Sequence, residues 1–451
     1  LLANHIYLFY VNKGVNKSNI QYKMNSGKNI LAPFAAVVSL SLLLLIGPTS
    51  MSMNAFAQGN SANQGIGQSQ SSTQLGVCVS GTGTLVSCNN LNAQNQANSG
   101  NNALAQQGGS GSGGNAANQA IGQAQSSNQN ALCVSGTGTF VSCNNLNAQN
   151  QQNSGNNALA QQGGSGSGKG KGGGGNTANQ AIGQAQSSNQ NSGVVSGGNI
   201  AGSGNNVNDQ NQKNTGNNAA AQSGGSGSGS GKGKGGGGNT ANQGIGQSQS
   251  SNQNAQCVSG GNTANSCNNV NTQNQANSGS NAAAQQGGSG SGGNTANQGI
   301  GQSQTSNQNA QCVGGGNVAD SCNNASTQNQ ANSGSNAAAQ QGGSGSGGNT
   351  ANQGIGQSQS SNQNAQCVAG GSLSNSCSNT NTQNQQNTGN NAAAQSGGSG
   401  SGGNTANQGI GQSQTSNQNA QCVSGKDAIV SCDNENFQNQ VNSGNNVLGQ
   451  Q

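Results

Sequence analysis

The stretch GNTANQGIGQSQSSNQNAQC, Gly238 to Cys257, decides how this chain is to be understood. It holds almost no apolar surface, yet it recurs along the sequence with a selective constancy. Asn239, Ala241, Gln243, Ile245, Gln247, Gln249, Ser251 and Gln253 have the same residue at the matching place in all seven copies. Most residues between them vary: Thr240 is matched by Ser or Ala, Gly244 by Ala, Ser248 by Ala. Asn242 and Gly246 are the two in-between residues that stay constant. A period of two, with one face held and the other free, is the signature of a strand with an inward side.

The same behaviour continues beyond the cysteines. Asn269, Gln273, Gln275, Asn277, Gly279, Asn281 and Gln285 are constant, whereas Val270, Thr272 and Ala276 are matched by Leu, Glu, Asp, Phe, Gln or Lys. Cysteines set the period: 257 to 312, 312 to 367, 367 to 422 and 78 to 133 are each 55 residues. Seven units follow, 59–107, 114–162, 175–223, 238–286, 293–341, 348–396 and 403–451, each 49 residues long. Gly/Ser linkers such as GGSGSG join them, with lengths of 6, 12, 14, 6, 6 and 6 residues. All variation in length sits in the linkers, and fixed-period repetition of this kind marks a repeat architecture.

The N-terminal 57 residues have a different character. ILAPFAAVVSLSLLLLIG, residues 30 to 47, follows Lys28 and precedes Ala55-Phe56-Ala57, the layout of a secretory signal peptide over 24–57 cleaved between Ala57 and Gln58. Met24 is the expected start, and 1–23 an upstream or extended leader. From Gln58 onward six lysines stand against five acids, a net charge of +1, with no Arg, His, Tyr, Trp, Met or Pro. So weak a field excludes nucleic acid and anionic membranes as expected partners. With only Phe140 and Phe437 as aromatics there is no platform for base stacking. Without histidine the usual general base is missing, so no enzyme and no cofactor is expected. No second apolar span of transmembrane length follows the signal peptide.

Charge also tests the inward face. Of the eleven charged residues after Gln58, Lys169, Lys171, Lys232 and Lys234 lie in linkers, and Asp320, Lys426 and Asp427 between paired cysteines. The remaining Asp209, Lys213, Asp433 and Glu435 all fall in the variable register. None occupies the constant register, where an unpaired charge would be costly to bury.

Twelve cysteines form six C-x9-C pairs, Cys78/Cys88, Cys133/Cys143, Cys257/Cys267, Cys312/Cys322, Cys367/Cys377 and Cys422/Cys432. The third unit has Val194 and Gly204 instead, having lost both partners together, so disulfides within each unit are expected. Metal ligation and redox catalysis lack both histidine and C-x-x-C spacing. Each pair sits at the inner ends of two alternating segments of roughly 19 residues. Folding back at the cysteines sets Ile245 opposite Gly279, Ala241 opposite Ala283 and Gln243 opposite Asn281. One disulfide contributes roughly 3 kcal/mol and the few apolar side chains about 3–5 kcal/mol. Backbone ordering costs about 1–2 kcal/mol per residue, so a lone unit cannot order. Stacking like on like, with Asn and Gln amide ladders, closes that gap. The third unit, flanked by the two longest linkers, is either held by such neighbours or a flexible joint.

Gln275, Gly279, Asn281, Ala283 and Gln285, and again Gly238, Asn239, Ala241 and Gln243, give this chain a pattern that resembles the curlin family. The resemblance covers all seven units; the disulfides and Gly/Ser linkers lie outside it. It implies secreted subunits of functional-amyloid type that polymerise into cell-surface fibres.

The expected fold is an all-β repeat protein: a β-solenoid, or stacked β-hairpin or β-arch units, with Gly/Ser linkers. The alternative is a largely disordered low-complexity chain with small disulfide loops, serving as a secreted spacer or hydration polymer. An ice- or carbohydrate-binding module would need a regular outward array such as T-x-T or an aromatic ladder, and neither is present. The expected function is structural, at the cell surface or in an extracellular matrix such as a biofilm. The expected partner is the chain itself, or other surface and matrix components. Its core ladder is the series Ile66, Ile121, Ile182, Ile245, Ile300, Ile355 and Ile410. Asn324-Ala325-Ser326 matches a glycosylation sequon but falls in the inward register, so it reads as chance.

Overall fold

In a computed structural model, residues 60–108, 114–164, 166–167, 174–225, 227–228, 237–288, 292–343, 347–397 and 402–451 are described. The leader, the signal peptide with its Ala57–Gln58 cleavage point, and the four linker lysines lie outside them. Every 49-residue unit forms one coil of a β-solenoid. In the fourth coil a long strand runs over Thr240–Ser259, a corner strand over Thr263–Ala264, a return strand over Asn269–Asn277 and a closing strand over Asn281–Gln286. The twenty residues of the long strand span about 65 Å at the usual rise.

Among the described residues, equivalent strands of the seven coils form four seven-stranded parallel sheets, each in coil order from first to seventh. Register is like on like: Ile245 lies between Ile182 and Ile300, and Gln247 between Gln184 and Gln302. Among the described residues no strands pair through the backbone inside one coil; the sheets bond coil to coil. The two layers of a coil meet through side chains instead, so each unit is a β-arch and not a hairpin. Gln253, Gln249 and Gln243 donate across to the main-chain oxygens of Val270, Asn274 and Ala282 at 2.9, 3.1 and 2.9 Å. The disordered alternative is not what the structure shows.

The constant register faces inward. Asn239, Ala241, Gln243, Ile245, Gln247, Gln249, Ser251 and Gln253 are all buried, and among the described residues no charged side chain is. Apolar side chains gather in three columns along the stack: the cysteines with Val194, the alanines of the Ala241 and Ala283 positions, and the isoleucines. Between them the core is amide.

Folding back at the cysteines sets large against small, as the symmetry of the unit suggests. A β-carbon on Gly100 would lie 2.9 Å from Ile66 Cδ1, and at Gly155 and Gly444 the same contact to Ile121 and Ile410 would be 3.2 and 3.1 Å. The amides of Gln243 and Asn281, expected opposite each other, do not bond to each other. Gln243 is long enough to reach the main chain at Ala282, whereas Asn281 donates to Gly299 O of the next coil at 3.0 Å. The second segment is also not continuous. It breaks between Asn277 and Asn281, where the Gly279 N–H turns back onto Asn277 Oδ1 at 3.3 Å.

The third coil is a full member of the stack. Its long strand Thr177–Ser196 pairs residue for residue with both neighbours. The two long linkers on either side run parallel to each other where Gly166–Ser167 meets Gly227–Ser228. A flexible joint at this coil is therefore not the arrangement found.

Candidate assembly faces

Two devices give the coils their identity, the amide ladders and the disulfide corner. In the ladders the inward glutamines of the interior coils donate along the stack, and most donate across the coil as well. Gln247 Nε2 donates to Gln184 Oε1 at 2.8 Å and across the coil to Ala276 O at 3.3 Å, while its own Oε1 accepts from Gln302 at 2.8 Å. Inward asparagines of the return strand do the same in the opposite sense: Asn206 Nδ2 donates forward to Asn269 Oδ1 at 2.9 Å and across to Asn254 O at 2.9 Å. Glutamine donors thus point toward the first coil and these asparagine donors toward the seventh. The hydrogen bonds offset the cost of taking these amides out of water, which is how a core can be built from them.

The constancy of outward-facing Asn242 also has a ladder behind it. Asn118 donates to Asn63 Oδ1 at 2.7 Å, and the series continues through Asn179, Asn242, Asn297, Asn352 and Asn407. Period-two reasoning assigns such a residue to the free face; its lack of variation is the signal that it does more. Nothing around Gly246 accounts for its constancy, since a β-carbon there would meet open space.

At the corner all twelve cysteines are joined in the six expected pairs: Cys78–Cys88, Cys133–Cys143, Cys257–Cys267, Cys312–Cys322, Cys367–Cys377 and Cys422–Cys432, with Cα–Cα distances of 6.0–6.1 Å. The two members of a pair are not equivalent, and here the structure corrects the expectation that each closes an alternating segment. The first cysteine lies within the long strand, as Cys257 does in Thr240–Ser259. The second lies outside any strand, in left-handed backbone: φ is 55° at Cys88, 58° at Cys143, 53° at Cys267, 56° at Cys322, 59° at Cys377 and 63° at Cys432. Period two fails there because the chain is turning the corner, and an extended residue would carry it past the first cysteine instead of back toward it.

The residue two before each second cysteine is left-handed as well, at φ 47° for Val86 and 49° for Asn265. Such conformations cost about 1–2 kcal/mol per non-glycine residue. In the third coil both places are glycine, Gly202 at φ 60° and Gly204 at 71°. Val194 fills the space of the missing disulfide, and the Ser192 hydroxyl donates to Gly204 O. No sequence rule marks Val86 as left-handed.

The first and seventh coils are built as the interior ones are but, among the described residues, have a neighbour on one side only. Their long strands, Ser61–Ser80 and Thr405–Ser424, each leave a twenty-residue edge unpaired, and their inward residues are half-exposed. The ladders end there as well. At the first coil Gln68 and its like present amide donors outward and Asn90 presents Oδ1; at the seventh Gln412 presents Oε1 and Asn434 its amide donor. Apolar side chains stand exposed on both coils, among them Leu85, Val86, Ile429, Val430, Phe437 and Leu448.

Among the described residues no group of three or more His, Cys, Asp or Glu is placed to hold a metal ion, and no helix is long and apolar enough to cross a membrane. Stacked parallel β-structure with a disulfide in six of seven coils makes this a structural repeat protein. Comparison with family models, with curated proteins and with solved structures finds no match for the chain.

Proposed function

We propose that this chain is a secreted structural subunit that stacks with copies of itself into β-fibres at the cell surface or in the extracellular matrix, as the curlin resemblance implies, with a mechanical or adhesive role and no catalytic step. The observation that carries the reading is the pair of open twenty-residue edges. An uncharged, proline-free edge of that length is a template for another strand, and among the described residues neither end carries the shortening, bulge or covering element that blocks pairing. Each terminal strand has the sequence of strands that pair in the interior, so a second copy meets a surface it already matches. The disulfides fit export through the signal peptide into an oxidising compartment.

Fibre diffraction with electron microscopy on the exported chain tests this. Filaments longer than one seven-coil stack, with a reflection near ~4.7–4.8 Å along the axis, are expected. Particles that remain single chains at every concentration would refute the reading.

A further inference from the structure

Resting on that reading, we infer that the subunits join head to tail, the seventh coil of one copy docking in register on the first coil of the next, through a joint that the sequence marks with its own apolar residues. Three columns carry the inference. In the column of Ala283, the seven coils read Leu104, Leu159, Ala220, Ala283, Ala338, Ala393 and Leu448. Leucine stands in coils one, two and seven, and alanine in the four between. The corner column reads Leu85, Phe140, then Ala, Ala, Ala and Ser, then Ile429. The left-handed column beside it reads Val86, Val141, then Gly, Asn, Asp and Asn, then Val430.

In each column the seventh coil resembles the first and second, which are far from it along the stack, and not the sixth, on which it packs. One arrangement makes these residues neighbours. When the seventh coil of one copy lies against the first of the next, Leu448, Leu104 and Leu159 become consecutive, as do Ile429, Leu85 and Phe140, and Val430, Val86 and Val141. Leu448, Ile429 and Val430, which are 47, 57 and 66 % exposed in the single chain, would each gain an apolar neighbour. Burial of that kind is the non-directional part of the attraction.

The directional part is polar and fixes orientation. Unused glutamine Oε1 acceptors and asparagine donors of the seventh coil face unused glutamine donors and asparagine acceptors of the first. The corner adds one more bond. Asn144 N–H donates to Asn89 Oδ1 at 2.9 Å, and Asn205 N–H to Asn144 Oδ1 at 2.8 Å, each to the coil before. Continued across the joint, Asn89 N–H donates to Asp433 of the preceding copy, a charged and therefore stronger acceptor. The other charged side chains of the seventh coil lie off the inward register, Glu435 on the outer face of the return strand and Lys426 and Asp427 in the corner between strands, so no unpaired charge enters the joint core. A two-fold pairing of seventh coil on seventh coil would run the strands antiparallel and break every column. The contact is heterologous and does not close on itself, which gives an open filament.

The test uses the chain expressed with its own leader and isolated after processing. Phe437→p-benzoylphenylalanine places a photo-reactive group on the outer face of the seventh coil, over Thr382 within the chain and, across the joint, over Ala93 of the next copy. Mixed isotope-labelled and unlabelled chains, assembled and irradiated, are expected to give interchain links to the segment around Ala93. Interchain links between two seventh coils, or to other coils, would overturn the joint while leaving self-assembly intact. Chains that stay single in sedimentation would overturn both. Independently, Ile429→Ala with Leu448→Ala is expected to raise the critical concentration for assembly on the order of tenfold. An unchanged critical concentration would count against the joint.

Discussion

A β-carbon added to Gly204 would lie 2.9 Å from Val194 Cγ2 within the same coil, and equally close to Cys267 Sγ of the next. Valine and glycine thus fill together the volume that a cystine fills elsewhere, and each depends on the other. Gly204→Ala is expected to lower stability by about 1–3 kcal/mol, through left-handed strain and overpacking. Chemical denaturation followed by circular dichroism measures it, and a variant as stable as the parent would contradict the packing described.

The same comparison can be run in the fourth coil. Cys257→Ser with Cys267→Ser removes a cross-link worth roughly 3 kcal/mol but leaves residue 267 in left-handed backbone, while the ladders still permit assembly. Cys257→Val with Cys267→Gly copies the third coil and recovers about 1–2 kcal/mol of that strain. The Val/Gly variant should therefore melt above the Ser/Ser variant and below the parent. If the two double variants melt together, glycine at the place of Gly204 relieves nothing.

Gln247→Lys puts a charge into the buried register and strips Gln302 of its acceptor and Gln184 Oε1 of its donor. A loss of several kcal/mol is expected, and the same change at all seven equivalent positions should abolish β-structure and assembly. Asn242→Lys, on the outer face, should cost under about 1 kcal/mol. Ordered β-structure surviving the sevenfold change would mean that this register does not face inward.

Partial burial raises the affinity of the Asp209 carboxylate for protons above the ordinary value of 3.8, and a 3.2 Å donation from Asn211 offsets part of the effect. The folded chain then binds a proton more tightly than the unfolded one. Stability contributed by this site is present below the ordinary carboxylate value and is lost as pH rises from there through the raised one. Asp209→Asn should raise stability at neutral pH and flatten that dependence. Melting curves across the acid range compare the two, and parallel profiles would rule the effect out.

Asn324 of the sequon is 1 % exposed and donates to Asn364 O and Asn379 Oδ1 at 2.8 and 2.9 Å. Intact-mass measurement of the exported chain should show no glycan there.

The fold was legible because its repetition is selective. Ile66 over Gly100 follows from the symmetry about the cysteines, since a bulky side chain can recur at a fixed place only if the facing place stays empty. The reach of Gln243 past Asn281 to a backbone oxygen was not legible, because side-chain length acts in three dimensions and the register in one. Nor was the left-handed corner, where Val86 and Asp320 share a conformation that the disulfide, not their own preference, maintains. Cys143, Cys322, Cys377 and Cys432 were legible as partners in a bond but not as residues of a turn, since pairing depends on spacing and the turn on backbone angles. For the candidate site, the open ends follow from any finite stack. The leucines that single out coils one, two and seven become meaningful only once the columns are aligned.

All length variation falls at one rim of the solenoid, where closing strand passes to long strand through the linker, while each 49-residue turn is fixed by its neighbours. A gene of this design can gain or lose whole turns by unequal recombination between its near-identical repeats, and every product still specifies the same cross-section. Subunit length is then free to change while the cross-section, and with it the gauge of any thread such subunits would build, stays fixed.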